Sequence, residues 1–341
     1  MRMGFTKGRV KLRRISGAAI GLLLISIIIS PAQSAEIMRC SHQLPPDNHI
    51  AKVIDQWAVE IETLTENAID VQVNGAGSLV QASRNAAAVK AGEIECAFSM
   101  NSEWTTTLPL MDVTLEPFAL RNVEILEKWD ESPAARLLEE KIKETGLTNI
   151  AWLFTTWRTA ITSKGKFLVK PEDFDGIRIQ GLGPISNASF TAMGAAAVDM
   201  SDIEAVEALK EGELDAGLTN VSSALSARYF DVQNHVTILP LLTIFYNGYL
   251  NSEWYNGLSE ANQRAIQEAS DKATLWAIEA SEISAAAAPR LLEEEGMRVH
   301  IATPAEVEAL KDIMRPAFTD AFLKATGIEG AELIELVENI M

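Results

Sequence analysis

Histidine and cysteine are the side chains that most often carry metal or nucleophilic chemistry, and this chain has few of either. Its 341 residues include two cysteines, Cys40 and Cys96, and four scattered histidines. They do not have the spacing of a zinc framework. The sequence also has no nucleophile elbow and no phosphate-binding glycine loop. This pattern predicts no catalytic residues, no metal and no cofactor, with a secreted hydrolase as the alternative.

Polar and aromatic residues stand instead where predicted strands end. Open α/β sheets bind ligands at the carboxyl ends of their strands, so His42, after the first predicted strand, is a candidate ligand contact. Trp152 and Trp157 are candidate walls of a pocket, since such sites are often aromatic. Tyr246 and Asn247 lie where the chain is predicted to return to its first unit. The structural alternatives are a loop histidine, core tryptophans and hinge residues.

The elements that must position these residues alternate between strand and helix. Strands are predicted at residues 36–41, 69–73, 94–100, 149–155, 176–180, 196–199, 214–218 and 244–251. The helices between them are predicted at residues 49–65, 83–91, 123–145, 185–193 and 201–211. This alternation indicates an α/β fold with largely parallel sheets.

A very long helix is predicted near the end of the chain. Ser259 is its expected N-cap, the helix runs towards Glu295, and Pro289 marks a kink or a break. Such a helix spans roughly 50 Å, which is longer than a small domain is wide. We therefore expect it to brace two domains.

Residues 1–35 have the order of a secretory signal peptide. A basic start is followed by an apolar run at residues 18–29 and by small residues up to Ala35. An uncleaved membrane anchor is the alternative. The formal net charge of −18 argues against nucleic acid and anionic membrane surfaces as partners. Export permits a disulfide between Cys40 and Cys96, although two buried thiols are slightly favoured.

Five stretches match a known family in the expected order. Residues 115–118 are Leu-Glu-Pro-Phe, and residues 171–179 are Pro-Glu-Asp-Phe-Asp-Gly-Ile-Arg-Ile. The remaining stretches are residues 77–79 with 91–95, residues 193–215, and residues 257–263. Together they resemble the solute-binding component of TRAP transporters, the DctP family.

The resemblance implies a two-domain periplasmic binding-protein fold of a type II-like kind, with the long helix bridging both domains. Residues 36–155 plus about 246–285 would form domain I, and residues 156–245 plus about 286–341 domain II. Chain crossings are expected near residues 155–158 and 243–247. The resemblance also implies a periplasmic monomer that closes on a small organic solute and delivers it to a membrane permease. Presenting the solute to a membrane receptor is an alternative role.

The same resemblance suggests the ligand-binding residues. Arg158 matches an arginine that some members use, while Gln180 stands where the family usually has an arginine that pairs with a substrate carboxylate. Asp202 replaces an aromatic residue, and Thr219 and Asn220 follow a characteristic turn of the family. The structural alternatives are a salt bridge for Arg158, backbone hydrogen bonds for Gln180, and a helix start for Asp202.

These residues lead to a prediction about the solute. A monocarboxylate held by Arg158 is the leading expectation, because a dicarboxylate would bring two charges to one arginine. The alternative is a zwitterion or small amine. Its cation would lie near Asp202 or Glu116, and its polar end on Gln180 and Asn220.

Overall fold

The computed structural model describes residues 1, 3, 4 and 35–340. The predicted signal peptide lies almost wholly outside the described residues. Within the part that is described, no helix combines the length and apolar composition needed to cross a membrane.

Eleven strands in the described part of the chain form two sheets. The five-stranded sheet has the order β2-β1-β3-β10-β4 and is built from β1 (Glu36–Ser41), β2 (Ile69–Asn74), β3 (Cys96–Met100), β4 (Leu147–Thr156) and β10 (Ile244–Asn251). The six-stranded sheet has the order β11-β9-β5-β8-β6-β7 and is built from β5 (Thr159–Ser163), β6 (Arg178–Gly181), β7 (Ala196–Asp199), β8 (Ala216–Asn220), β9 (His235–Leu239) and β11 (Arg298–Ile301).

Each sheet contains one strand that runs against its neighbours. β10 is antiparallel to β3 and β4, and β5 is antiparallel to β8 and β9, whereas the other pairings are parallel. Both exceptions follow a direct crossing from one sheet to the other, β4 to β5 and β9 to β10. Without a crossover helix, an arriving strand has no route to a parallel position. The prediction of largely parallel sheets is therefore correct except for these two strands.

Ten α-helices occur among the described residues. They are α1 (His49–Leu64), α2 (Asn85–Lys90), α3 (Val123–Glu127), α4 (Pro133–Glu144), α5 (Pro184–Thr191), α6 (Asp202–Glu211), α7 (Val221–Ser226), α8 (Ser252–Gly257), α9 (Glu260–Glu294) and α10 (Pro304–Glu338). α9 begins at the Ser259 cap and continues through Pro289 for 35 residues. It packs on α1 and on β4 of the five-stranded sheet, and on α7 and on β11 of the six-stranded sheet. The helix therefore bridges the two sheets, as predicted.

Two helical predictions need correction. Residues 123–145 form two helices, because Ser132 caps α4 and Pro133 occupies its first turn. α10 is absent from the sequence-based prediction, although Thr303 and Glu306 form a capping box at its start. Gly327, at φ 64°, bends α10 out of helical geometry.

The two cysteines face each other on neighbouring parallel strands. Cys40 of β1 is in register with Cys96 of β3, and the two form a disulfide. This pairing corrects the preference for two free thiols, because sequence spacing alone does not reveal that the strands are adjacent.

Candidate functional site

The carboxyl ends of the parallel strands in both sheets meet at the two crossings. β4 leaves its sheet at Thr156, and β5 enters the other sheet at Thr159. The strands antiparallel to β5 therefore end where β5 begins. This edge of an open α/β sheet is where ligands bind. We call the region the junction and define it by the residues at or after these strand ends, namely Gln43, Glu103, Arg158, Asp202 and Asn220.

Gln180 and Asp202 belong to one hydrogen-bonded network on the six-stranded side of the junction. Gln180 is 1% exposed; its Nε2 donates to Asp202 Oδ1 at 3.0 Å, and its Oε1 accepts from the Tyr229 hydroxyl at 2.7 Å. Thr219 donates to Asp202 Oδ2 at 2.9 Å. Gln180 is thus committed to holding a carboxylate of the protein itself. Tyr229, which the sequence did not single out, completes the network.

The carboxyl group of Asp202 is surrounded by hydrogen-bond donors and has no cationic partner among the described residues. Burial raises the pKa of its carboxyl group, although hydrogen bonds from Gln180, Thr219 and Tyr229 oppose the shift. Within residues 35–340, no lysine, arginine or histidine pairs with it. Asp202 is the first residue of α6, which agrees with its structural alternative, and it follows Ser201, which forms a capping box with Glu204. Its carboxylate nevertheless faces the network.

Tyr246 of β10 is a buried polar residue on the five-stranded side of the junction. It is 8% exposed, and Gln43 is a polar neighbour of its hydroxyl. Burial raises the Tyr246 pKa, and the charges of Asp202 and Glu103 raise this pKa further, while Gln43 opposes the shift. Tyr246, Asp202 and Glu103 therefore share one electrostatic environment that includes residues of both sheets.

Arg158 lies at the first crossing beside Trp157 and an acidic residue of α9. Its guanidinium sits 4.6 Å from the Trp157 ring centre, and Nη2 is 3.6 Å from Glu282 Oε2. Trp157 Nε1 donates to Glu282 Oε1 at 2.9 Å. Glu282 therefore partly neutralises the positive charge of Arg158, which agrees with the salt bridge named as the structural alternative for this arginine. The ion pair is long, and the guanidinium makes no hydrogen bond to the described residues, so its N–H donors remain available.

Three other predicted residues have structural roles. Asn220 caps α7, accepting from the Ser223 backbone N–H at 2.7 Å. Asn247 is fully buried, and its Oδ1 accepts from Trp104 Nε1 at 2.8 Å. Trp152 is 1% exposed, and its indole donates to Glu139 Oε1 at 3.0 Å.

Trp152 belongs to an aromatic cluster of the core with Trp129 and Phe245. It therefore packs in the core of the five-stranded side in this structure, which agrees with its structural alternative. The same holds for Asn247, because its amide is committed inside the sheet.

His42 is also buried, at 2% exposure, beside β1. Its Nδ1 accepts from the Leu44 backbone N–H at 3.2 Å, and burial lowers its pKa to about 4. The ring is therefore neutral near pH 7. Its edge also fills the space where a Cβ at Gly75 would stand, 2.8 Å from His42 Cε1. These contacts match the structural alternative for His42.

Glu116, considered as a partner for a cationic solute, is already paired elsewhere. Arg315 Nε of α10 donates to Glu116 Oε1 at 2.6 Å. No group of three or more histidine, cysteine, aspartate or glutamate side chains in the described part of the chain has a geometry for a metal ion.

Comparison with known proteins identifies the family. The family model for bacterial extracellular solute-binding protein family 7, named DctP, matches residues 40–325. The chain belongs to this family. The predicted resemblance to TRAP-transporter solute-binding proteins is confirmed.

Individual relatives cover almost the whole chain at low identity. The C4-dicarboxylate-binding periplasmic protein DctP of Rhodobacter capsulatus is 24% identical over 96% of this chain and 98% of its own length. The ectoine-binding periplasmic protein TeaA of Halomonas elongata is 23% identical over 94% of each chain.

The solved structures confirm the predicted two-domain periplasmic binding-protein fold. A TRAP periplasmic solute-binding protein from Desulfovibrio salexigens, solved with bound orotic acid, superposes with a TM-score of 0.84. It is 20% identical, and the match covers 89% of this chain and 98% of that one. At this identity the match describes the fold alone. The residue boundaries of the two domains remain a prediction.

Proposed function

We propose that this family 7 protein is the extracytoplasmic solute-binding subunit of a TRAP transporter. It captures one small organic solute at the junction and delivers it to a membrane permease. The observation that carries this proposal is the hydrogen-bonded network of Gln180, Thr219 and Asp202 at strand ends of the six-stranded sheet, where two chain crossings connect it to the five-stranded sheet. Hinge-like closure at such crossings lets both halves replace the water shell of a solute.

The proposal includes export and the absence of catalysis. Residues 1–35 would be removed as a signal peptide, which leaves a mature periplasmic protein. Hydrogen bonds hold the side chains of Gln180, Thr219, Tyr229 and Asp202 in place, and we assign none of them a nucleophilic or acid–base role.

A thermal-shift screen with organic acids, amines, amino acids and sugars tests the proposed function. A solute that binds only the folded protein adds about 2.7 kcal/mol to the free energy of unfolding at 100-fold excess over Kd. We expect at least one compound to raise the melting temperature and to be recovered chemically unchanged. Conversion of that compound to a product would contradict the proposal.

Arg158 is the proposed anchor for a carboxylate of the solute. The relatives are named for solutes as different as a C4-dicarboxylate and ectoine, so the family alone does not decide the solute. Arg158 supports a carboxylate because its guanidinium N–H donors form no hydrogen bond to the described residues. Its ion pair with Glu282 is long, at 3.6 Å, and leaves these donors available. Opposition by Glu282 disfavours a second anionic group at the same place.

Arg158→Ala is therefore expected to weaken binding of a carboxylate-bearing hit about 10- to 100-fold, the effect of one charge-assisted bond. Isothermal titration calorimetry measures the change. Arg178→Ala is the matched control, since Arg178 pairs with Asp215 on an exposed part of the same sheet. If Arg158→Ala bound the hit as tightly as the control Arg178→Ala does, Arg158 would have a purely structural role.

A further inference from the structure

The middle of α9 lies at the first chain crossing and is attached to elements of both sheets. Ser281 Oγ donates to the carbonyl oxygen of Phe154, in β4, at 2.8 Å. Ser284 Oγ, less than one helical turn later, donates to Ser222 Oγ at 2.9 Å. Ser222 belongs to α7, which packs on β5 and β8 of the six-stranded sheet. The backbone of α9 is therefore held on each side of Glu282.

The carboxylate of Glu282 is held in place as well. Its Oε1 accepts from Trp157 Nε1 at 2.9 Å, while its Oε2 lies 3.6 Å from Arg158 Nη2. Trp157 directly follows β4 and packs against the core of the five-stranded side. One carboxylate oxygen is thus fixed by a hydrogen bond, and the other faces the guanidinium across a gap that is too long for one.

The guanidinium of Arg158 is the more mobile member of this ion pair. Within residues 35–340 it forms no hydrogen bond, and it is held only by the Trp157 ring, at 4.6 Å, and by the long ion pair. The side chains of Arg158 and Glu282 are 29% and 31% exposed, so water reaches both. A solvated ion pair of this kind is weak, whereas a carboxylate that accepts two parallel N–H bonds from a guanidinium is bound strongly. A carboxylate of the solute should therefore displace Glu282 from Arg158.

We infer that Glu282 is a specificity-determining residue, which holds the Arg158 guanidinium until a carboxylate of the solute takes its place. This inference rests on the proposed function and adds the residue that limits the negative charge of the solute. Glu282 remains beside the site after it is displaced, because Trp157 and α9 keep its carboxylate in position. The solute therefore meets one cation with an anion next to it. This arrangement accepts a single carboxylate and repels a second one.

Removing the charge of Glu282 without changing its shape tests the inference. In Glu282→Gln the side-chain oxygen can still accept from Trp157 Nε1, but the competing negative charge is lost. We expect the variant to bind propionate about 2- to 5-fold more tightly than wild type does, which is the effect of one solvated ion pair. Isothermal titration calorimetry measures the affinity, with the strongest carboxylic acid from the thermal-shift screen measured alongside propionate.

Two analogues of propionate distinguish an electrostatic role of Glu282 from a structural one. Succinate carries a second carboxylate, so Glu282→Gln should improve its affinity by a larger factor than that of propionate. Propionamide is neutral and should bind equally to the variant and to wild type. A residue that only supports the fold would, when substituted, weaken the binding of all three compounds alike.

Glu279→Gln is the matched control, since Glu279 is exposed and lies three residues earlier on α9. It should bind each probe as wild type does, and circular dichroism verifies that both variants are folded. Unchanged or weaker binding of the carboxylates by Glu282→Gln would overturn the inference and leave the proposed function standing. A screen in which only non-acidic compounds stabilise the protein would do the same. Stabilisation by none of the screened compounds would count against both.

Discussion

Arg315→Ala is expected to lower the free energy of unfolding by about 3–5 kcal/mol, the cost of leaving a buried charge without its partner. Glu116 is 2% exposed, and its Oε1 accepts from Arg315 Nε at 2.6 Å. Its Oε2 is buried without a partner, and burial raises the Glu116 pKa while Arg315 opposes that shift. Without Arg315, this carboxyl group must ionise unpaired or take up a proton. Urea unfolding at neutral pH measures the loss.

A second acceptor of Arg315 provides the matched control. Glu338 Oε1 lies 2.9 Å from Arg315 Nη2, but its side chain is 51% exposed. Glu338→Gln should therefore change stability by no more than about 1 kcal/mol, as is usual for solvated pairs. The double variant Arg315→Ala/Glu116→Gln should recover part of the loss, because it removes the orphaned charge. Equal losses from Arg315→Ala and Glu338→Gln would contradict this assignment.

The predictable part of the fold is the part that depends on local chemistry. The predicted Ser259 cap of α9 is confirmed, and Ser201 and Glu204 form the capping box that a Ser-x-x-Glu sequence favours. Residues 244–251 form β10 as predicted, because β-branched and aromatic residues favour an extended chain. Such signals need only a few neighbouring residues, so a single sequence contains them.

The elements that escaped prediction depend on distant partners. β5 and β9 are short, fully buried strands that lie far apart in the chain and pair with each other inside the six-stranded sheet. The break before α4 is a different case. Ser132 followed by Pro133 is a local helix-start signal, and the periodic apolar residues around it concealed that signal.

Sequence reasoning placed Arg158, Gln180 and Asp202 in one region but could not supply their partners. Glu282, the partner of Arg158, comes from the middle of α9, far along the chain. Glu103 was missed, although it follows a predicted strand just as Gln43 does. Applying the strand-end rule to every strand would have found it. The hydrogen bond from Gln180 Nε2 to Asp202 Oδ1, at 3.0 Å, could be recognised only from the folded structure.

Asp112→Asn is expected to stabilise the protein by up to about 4 kcal/mol above neutral pH and by little in mild acid. Asp112 is fully buried in the 3₁₀ segment Pro109–Leu115, with Oδ1 accepting from the Thr105 hydroxyl at 2.7 Å. Its Oδ2 has no described partner. Burial raises its pKa from 3.8 to about 7, and the charge of Asp199 on β7 adds to the shift.

The sign of the effect follows from proton linkage. Between pH 3.8 and about pH 7, the folded state keeps a proton on Asp112 that the unfolded chain has lost. The free energy of unfolding therefore falls as pH rises through this window, by about 1.4 kcal/mol per pH unit for one group, and stays lower above it. Asparagine cannot ionise, and its side-chain oxygen can still accept from Thr105. The variant should thus lose this part of the pH dependence, while Asp130, whose pKa burial also raises to about 7, retains its own.

Urea unfolding of Asp112→Asn and wild type at about pH 4 and about pH 8.5 measures the difference that proton linkage requires. Asp47→Asn, at an exposed aspartate, is the control and should follow the wild-type curve at both values. A gain that is the same at the two pH values would show that Asp112 does not ionise in the folded state within this window. A gain confined to the higher pH would show that Asp112 ionises in the folded state without a compensating cation. Its hydrogen-bond partner Thr105 lies against Gly183. Asp199 accepts from the Gly183 backbone N–H at 2.8 Å at that contact. Ionisation of Asp112 would add a second negative charge whose repulsion by Asp199 contributes to the raised pKa of Asp112.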